Sequence, residues 1–202
     1  MRRVPGNRAV LRSLLRKIAG NGANGRIRRI GDLRISVPTP IPLIDRRSTV
    51  LRALGADPVF YAGSSEVRRR TPSGDRVHVY VDVSGSMNGI KDAIYGAVND
   101  CREWVHPSVH LFSNGISDVT RDDIRKGVVK TTGGTDVACI AKHMEINKVR
   151  RACIVTDGWV GEPRGGHFTT LAKSRLGVAY AGEPVNTNDL SGVANHTVTL
   201  RL

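Results

Sequence analysis

Three short polar segments of this chain combine carboxylates, hydroxyls and glycines. They are Asp82-Val83-Ser84-Gly85-Ser86, Thr131-Thr132-Gly133-Gly134-Thr135-Asp136 and Thr156-Asp157-Gly158. Oxygen is the only donor element they offer. Carboxylate, hydroxyl and water oxygens suit a hard divalent cation, Mg²⁺ or Mn²⁺. The alternation Asp82-x-Ser84-x-Ser86 lets a tight turn aim three side chains the same way, and Gly85 keeps that turn permissive. Gly133 and Gly134 let the second loop approach an ion closely. So few protein ligands would leave one coordination position open. The chemistry requires that Asp82 and Asp157 sit at the ends of neighbouring strands.

Other chemistries fit these residues less well. Ser84 and Ser86 lack the GxSxG elbow of a hydrolase nucleophile. A haloacid-dehalogenase pattern would need a second Asp at position 84, where this chain has Ser. No general base is visible near the loops, so a metal-dependent hydrolase is not expected, and the chain reads as no enzyme. His78, His106, His110, His143, His167 and His196 show no metal-ligand spacing and read as core or surface histidines. Cys101, Cys139 and Cys153 are odd in number and lack CxxC spacing. They suit a reducing cytoplasm and neither a disulfide framework nor a zinc site.

The loops need elements to hold them. Residues 77–83 are a nearly continuous β-branched and aromatic run, as in a strand buried on both faces. A helix is expected over 89–105 and a strand over 109–112. Asn114-Gly115 is a hairpin turn, so 116–119 should return antiparallel. A helix over 137–146, a strand over 152–157, a helix over 168–174 and strands over 176–181 and 196–202 complete the series. Strands alternating with helices imply a doubly wound, mostly parallel α/β sheet with one antiparallel edge strand. In such a sheet the polar loops share the edge where ligands bind.

Together the three loops, in order and at strand ends, resemble a von Willebrand factor A domain over residues 76–202. The resemblance implies that family's metal-ion-dependent adhesion site at Asp82, Ser84, Ser86, Thr135 and Asp157. It implies Mg²⁺ or Mn²⁺ bound by the serines and the threonine, with Asp157 acting through water. An acidic residue, Asp or Glu, of a protein partner would fill the open position. Family members usually finish with a helix, whereas this chain stops in a strand. Intracellular members often serve beside MoxR-type AAA+ ATPases. Ro-type RNA-binding proteins carry similar DVSGSM and GGTD motifs, but their large helical-repeat portion has no counterpart here.

Residues 1–75 differ from the rest. They carry +11 of the chain's formal net charge of +13. This basic, partly helical or extended segment is drawn as a separate region from the domain at 76–202. Such asymmetry suggests contact with nucleic acid, an acidic protein face or an anionic membrane, and reads equally as a solvated basic surface. Leu11, Leu14, Leu15 and Ile18 form one apolar helical stripe, expected to pack on the neighbouring domain. Residues 20–25 read as a loop, Pro38, Pro40 and Pro42 as an extended segment, and Ser48 as the cap of a helix ending at Gly55. Trp159, directly after the third loop, reads equally as the rim of a partner face or as a packed lid. No apolar run approaches the roughly 18 residues of a membrane span. The first residues lack the apolar stretch of a secretory signal, so a cytoplasmic protein is expected.

Overall fold

The computed structural model of the chain describes residues 6–20, 28–40, 46–71, 76–127 and 134–201, of which 28–37, 62 and 64–71 are described by backbone alone. Helix α1 spans Asn7–Ala19, strand β1 Arg28–Thr39, helix α2 Arg46–Ala53 and strand β2 Tyr61–Thr71. There follow β3 (His78–Asp82), α3 (Lys91–Asp100), β4 (Ser108–Phe112), β5 (Ile116–Thr120), α4 (Arg121–Arg125) and α5 (Val137–Ile146). The last elements are β6 (Arg151–Thr156), α6 (Gly165–Ala172), β7 (Arg175–Tyr180) and β8 (His196–Thr199).

Six strands form one sheet in the order β5-β4-β3-β6-β7-β8. All neighbours run parallel except β4 and β5, so β5 is an antiparallel edge strand. The fold is therefore a doubly wound, mostly parallel α/β sheet. Alternation along the strands feeds two cores. Val79, Val81 and Val83 face the core closed by α1, α3 and α4. Tyr80, Ile154 and Val178 face the core closed by α5 and α6. The chain winds outward from β3 in one direction and from β6 in the other. The strand order therefore reverses between β3 and β6, and in open α/β sheets the carboxyl edge at such a point is where ligands bind.

The charge-based boundary at residue 75 is corrected by the packing. The chain divides into Met1–Asn24 with Gly74–Leu202, and Gly25–Ser73. The first helix thus belongs with the sheet. Its stripe of Leu11, Leu14, Leu15 and Ile18 is fully buried, and the helix packs on β6, β7, β8 and α3. Gly177 on β7 makes the close approach possible, because a Cβ there would lie 2.4 Å from Ile18 Cδ1. Asn7 clamps the far end of the sheet. Its Nδ2 donates to Arg201 O (2.5 Å) and its Oδ1 accepts from Arg201 N (2.8 Å). Arg8 and Arg12 meet Asp100 (3.7 Å) and Glu103 (2.5 Å), so part of the basic charge is spent inside this unit.

The other unit is a two-stranded antiparallel ribbon, β1 with β2, and the helix α2. Pro38 lies within β1, opposite Ala62. Ser48 is not a cap: α2 begins at Arg46, and Ser48 is buried within it. The Arg52 guanidinium donates to Tyr61 Oη at 3.2 Å. Expected strand and helix ends elsewhere shift by one to a few residues, and α4 is an added element, nucleated by a Thr120–Asp123 capping box. The 20–25 loop and Pro42 fall largely outside the described residues.

Truncating a stripe residue tests whether α1 is integral to the sheet domain. Leu15→Ala should cost about 2–5 kcal/mol of unfolding free energy in a urea titration, as for other fully buried leucines. A loss below about 0.5 kcal/mol, typical of surface positions, would mean that the helix is detachable.

Candidate metal centre

Parallel register sets the centre. Val79, Tyr80 and Val81 pair with Cys153, Ile154 and Val155, which brings the end of β3 beside the end of β6. Asp82 closes β3 and is 0% exposed. Its Oδ2 accepts from Thr156 Oγ1 at 2.6 Å, and its Oδ1 accepts from Ser84 N at 2.9 Å. The second contact starts a tight turn, and Gly85–Met87 follow as a single 3-10 turn. That turn lifts Ser86 back over the edge. Ser84 Oγ and Ser86 Oγ lie 3.1 Å apart, and Ser86 Oγ donates to Asp157 Oδ2 at 2.5 Å. Asp82, Ser84, Ser86 and Asp157 thus converge as one hydrogen-bonded group.

Asp157 is held from the other side. Its Oδ1 accepts from Trp159 N (3.1 Å), and its carbonyl accepts from Asn186 N (2.9 Å). Gly158 between them has φ +92°, and a Cβ there would lie 1.7 Å from Asn186 O. No side chain fits at that position. Thr156 is the residue that the loop pattern alone undervalues. Its hydroxyl donates to Asp82 and accepts from Gly158 N (3.0 Å), so it ties Asp82 to the loop that carries Asp157.

Thr135 stands apart in its bonding. It is half-buried in the loop before α5, and among the described contacts no hydrogen bond joins it to the aspartate–serine group. Its loop is nevertheless anchored at the same edge. Asp136 N donates to Ser113 O just beyond β4 (3.0 Å), and Val137 N donates to Val160 O (2.9 Å). The Asp136 side chain caps α5 through Ala138 N (2.8 Å). Thr131, Thr132 and Gly133 lie outside the described residues.

The electrostatics favour a cation. Burial pushes the Asp82 carboxyl above its ordinary range, and the nearby Asp157 charge adds to the rise; hydrogen bonds from Thr156 and Ser84 oppose it. All its hydrogen-bond donors are neutral. A buried carboxylate is costly; the Lys91 ammonium attracts it, and a bound divalent ion would offset the cost further. Lys91 is the near ammonium group. Its Nζ donates to Val83 O (3.2 Å) and to Asn88 Oδ1, so it braces the turn. The donor set fits a hard ion in geometry as well. Octahedral Mg²⁺ places adjacent ligands about 2.9 Å apart, close to the 3.1 Å between the two serine oxygens.

Trp159 is no lid. It is 59% exposed beside Asp157, with its indole Nε1 donating to Pro184 O at 3.4 Å. The histidines depart from the sequence reading more sharply. Spacing along the chain offers no metal motif, yet His110, Asp118 and His143 present ligand atoms within 4.8 Å of one another. They come from β4, β5 and α5, which linear spacing cannot reveal. The free thiols Cys101, Cys139 and Cys153 lie in apolar surroundings that push each of them up, to between about 11 and about 12.

No protein-family model and no curated protein sequence matches the chain. Among solved structures, proximal thread matrix protein 1 from the mussel byssus is similar, with 17% identity and a TM-score of 0.45. The match covers 62% of this chain and 44% of that one. A likeness of that size bears on neither the site nor the function.

Thr156→Val keeps the side chain's shape and removes its hydroxyl. It should destabilise the protein by about 1–3 kcal/mol, because Asp82 Oδ2 and Gly158 N lose a buried partner. Urea unfolding measures this. A change within about 0.5 kcal/mol would mean that the hydroxyl does not tie Asp82 to the Gly158 turn.

Proposed function

We propose that this chain is a non-enzymatic, Mg²⁺-dependent protein-binding module of the von Willebrand factor A type. The observation that carries the reading is the Asp82–Ser84–Ser86–Asp157 group at the switch point of the sheet. Ser84 and Ser86 would hold the ion through hydroxyl oxygens, with Thr135 supplying a third. Asp82 and Asp157 would supply charge directly or through water. Bound there, the ion acts as an acceptor for a carboxylate from outside. Trp159, exposed at the rim, would contact the partner around its acidic residue. Aromatic residues are enriched at such interfaces. Within a cell the module would serve as a subunit or adaptor of a larger assembly, as the intracellular members do beside AAA+ ATPases. Unpaired cysteines favour a cytoplasmic setting, and no helix among the described residues is long and apolar enough to cross a membrane.

Manganese or magnesium titration by calorimetry tests the reading. The wild-type chain should take up one ion, and Asp82→Ala should lose it while retaining a folded circular dichroism spectrum. Wild-type affinity in the variant would place any ion elsewhere. Proteins retained on the immobilised chain with Mg²⁺ should elute with EDTA. Equal retention in both conditions would remove the metal from the recognition step.

A second reading, nucleic-acid binding, has its own support in the ribbon of Gly25–Ser73. Arg29 pairs with Arg70, and Ile30 with Arg69, so arginines gather at one end of β1 and β2. Because α1 is integral to the sheet domain, charge reversal is a cleaner probe than deletion of residues 1–75. If the ribbon binds RNA, a gel shift should weaken steeply with salt and be lost in R69E/R70E. Absence of any shift at low salt would leave the ribbon a structural element.

A further inference from the structure

A second cluster of ligand-type side chains crosses the α5 face of the sheet. The register places Tyr80 beside His110, and His110 beside Asp118. His143 descends on them from α5. Every ring nitrogen of the two ligand-type histidines has a defined neighbour. His110 Nε2 lies 2.9 Å from His78 Nδ1, and His143 Nδ1 lies 2.9 Å from Tyr80 Oη. The remaining nitrogens converge on one carboxylate oxygen. His110 Nδ1 is 2.6 Å and His143 Nε2 is 3.5 Å from Asp118 Oδ1.

We propose that His110, Asp118 and His143 form a binding site for a borderline divalent transition metal of the zinc class, separate from the Mg²⁺ site. Two imidazoles and one carboxylate match the nitrogen-rich sets that Zn²⁺ and its neighbours prefer, and that Mg²⁺ does not. Tetrahedral zinc with bonds of about 2.0–2.1 Å sets its ligands about 3.3 Å apart. The His143–Asp118 separation already has that value within a few tenths of an ångström. The His110–Asp118 contact must open by less than about 1 Å to reach it. Asp118 can make that movement because its side chain is 59% exposed, whereas the imidazole of His110 is buried. The other ring nitrogens are supported as metal-bound histidines usually are, by hydrogen-bonding groups that fix the tautomer. His78 plays that part for His110, and Tyr80 for His143. His78 is itself stacked on His106, with ring centroids 4.1 Å apart, so the supporting layer is held in place. Three protein ligands would leave a fourth position open to water.

The same contacts would also arise in a hydrogen-bonded network that takes up no ion, and the experiment separates the two. The full chain is titrated with Zn²⁺ and, as a spectroscopic probe, Co²⁺, both in excess Mg²⁺ to fill the oxygen site. The expected result is one equivalent of zinc bound, with visible cobalt absorption of a four- or five-coordinate nitrogen-containing site. Asp82→Ala should leave this binding unchanged. His143→Gln and Asp118→Asn should each weaken it more than about 100-fold, and Tyr80→Phe about 10- to 100-fold. Asp118→Asn alters an exposed residue, so it decides the matter if His143→Gln does not fold. No zinc uptake by the wild type, uptake indifferent to Asp118→Asn, or loss in Asp82→Ala would each overturn the proposal.

Discussion

A carboxylate sealed from solvent, with a second carboxylate beside it, is the constraint around which this domain is arranged. Asp82 is tolerable at that depth because Thr156 and the Ser84 backbone each donate to one of its oxygens. Thr156 can do so only because β3 and β6 are parallel neighbours in register. That adjacency is the topological switch point of the sheet. The tight turn after Asp82, the left-handed Gly158 and the bracing by Lys91 all serve to present hydroxyls over the pair. Neutral donors lower the cost of the buried charge without cancelling it. A divalent ion is the natural complement, which links the sheet's topology to the function proposed for it.

The first helix shows how the rest of the chain supports that edge. A parallel sheet must be covered on both faces. On the α3 side, α1 covers β6, β7 and β8. The basic charge of α1 is then a surface property of a packed helix, partly met by Asp100 and Glu103. What remains of the basic excess lies largely in the separate ribbon of Gly25–Ser73.

Much of this was legible in the sequence, for physical reasons. Strands buried on both faces write continuous apolar runs, so β3, β4, β6 and β7 stood out. Asn114-Gly115 announced the antiparallel return to β5. Four of the five expected site residues are gathered in one bonded group because strand ends carry their loops with them. The ribbon strands β1 and β2 were not legible. Runs such as Arg68-Arg69-Arg70 give no apolar alternation, and long-range pairing alone makes them strands. The histidine cluster was hidden for a related reason. Its members come from β3, β4, β5 and α5, and only cross-strand register brings Tyr80, His110 and Asp118 into line. Charge asymmetry misplaced the domain boundary because charge reports the surface, whereas the stripe of Leu11, Leu14, Leu15 and Ile18 reports the packing.

The central claim is that the carboxyl edge between β3 and β6 holds a hard divalent cation. A crystal structure of the chain grown with Mn²⁺, with anomalous data collected near the manganese edge, tests it most directly. The account predicts an anomalous peak about 2.0–2.3 Å from the Ser84 and Ser86 hydroxyl oxygens, close to Asp82 and Asp157. A fully ordered edge with no peak there, while manganese appears at other sites in the same crystal, would contradict it.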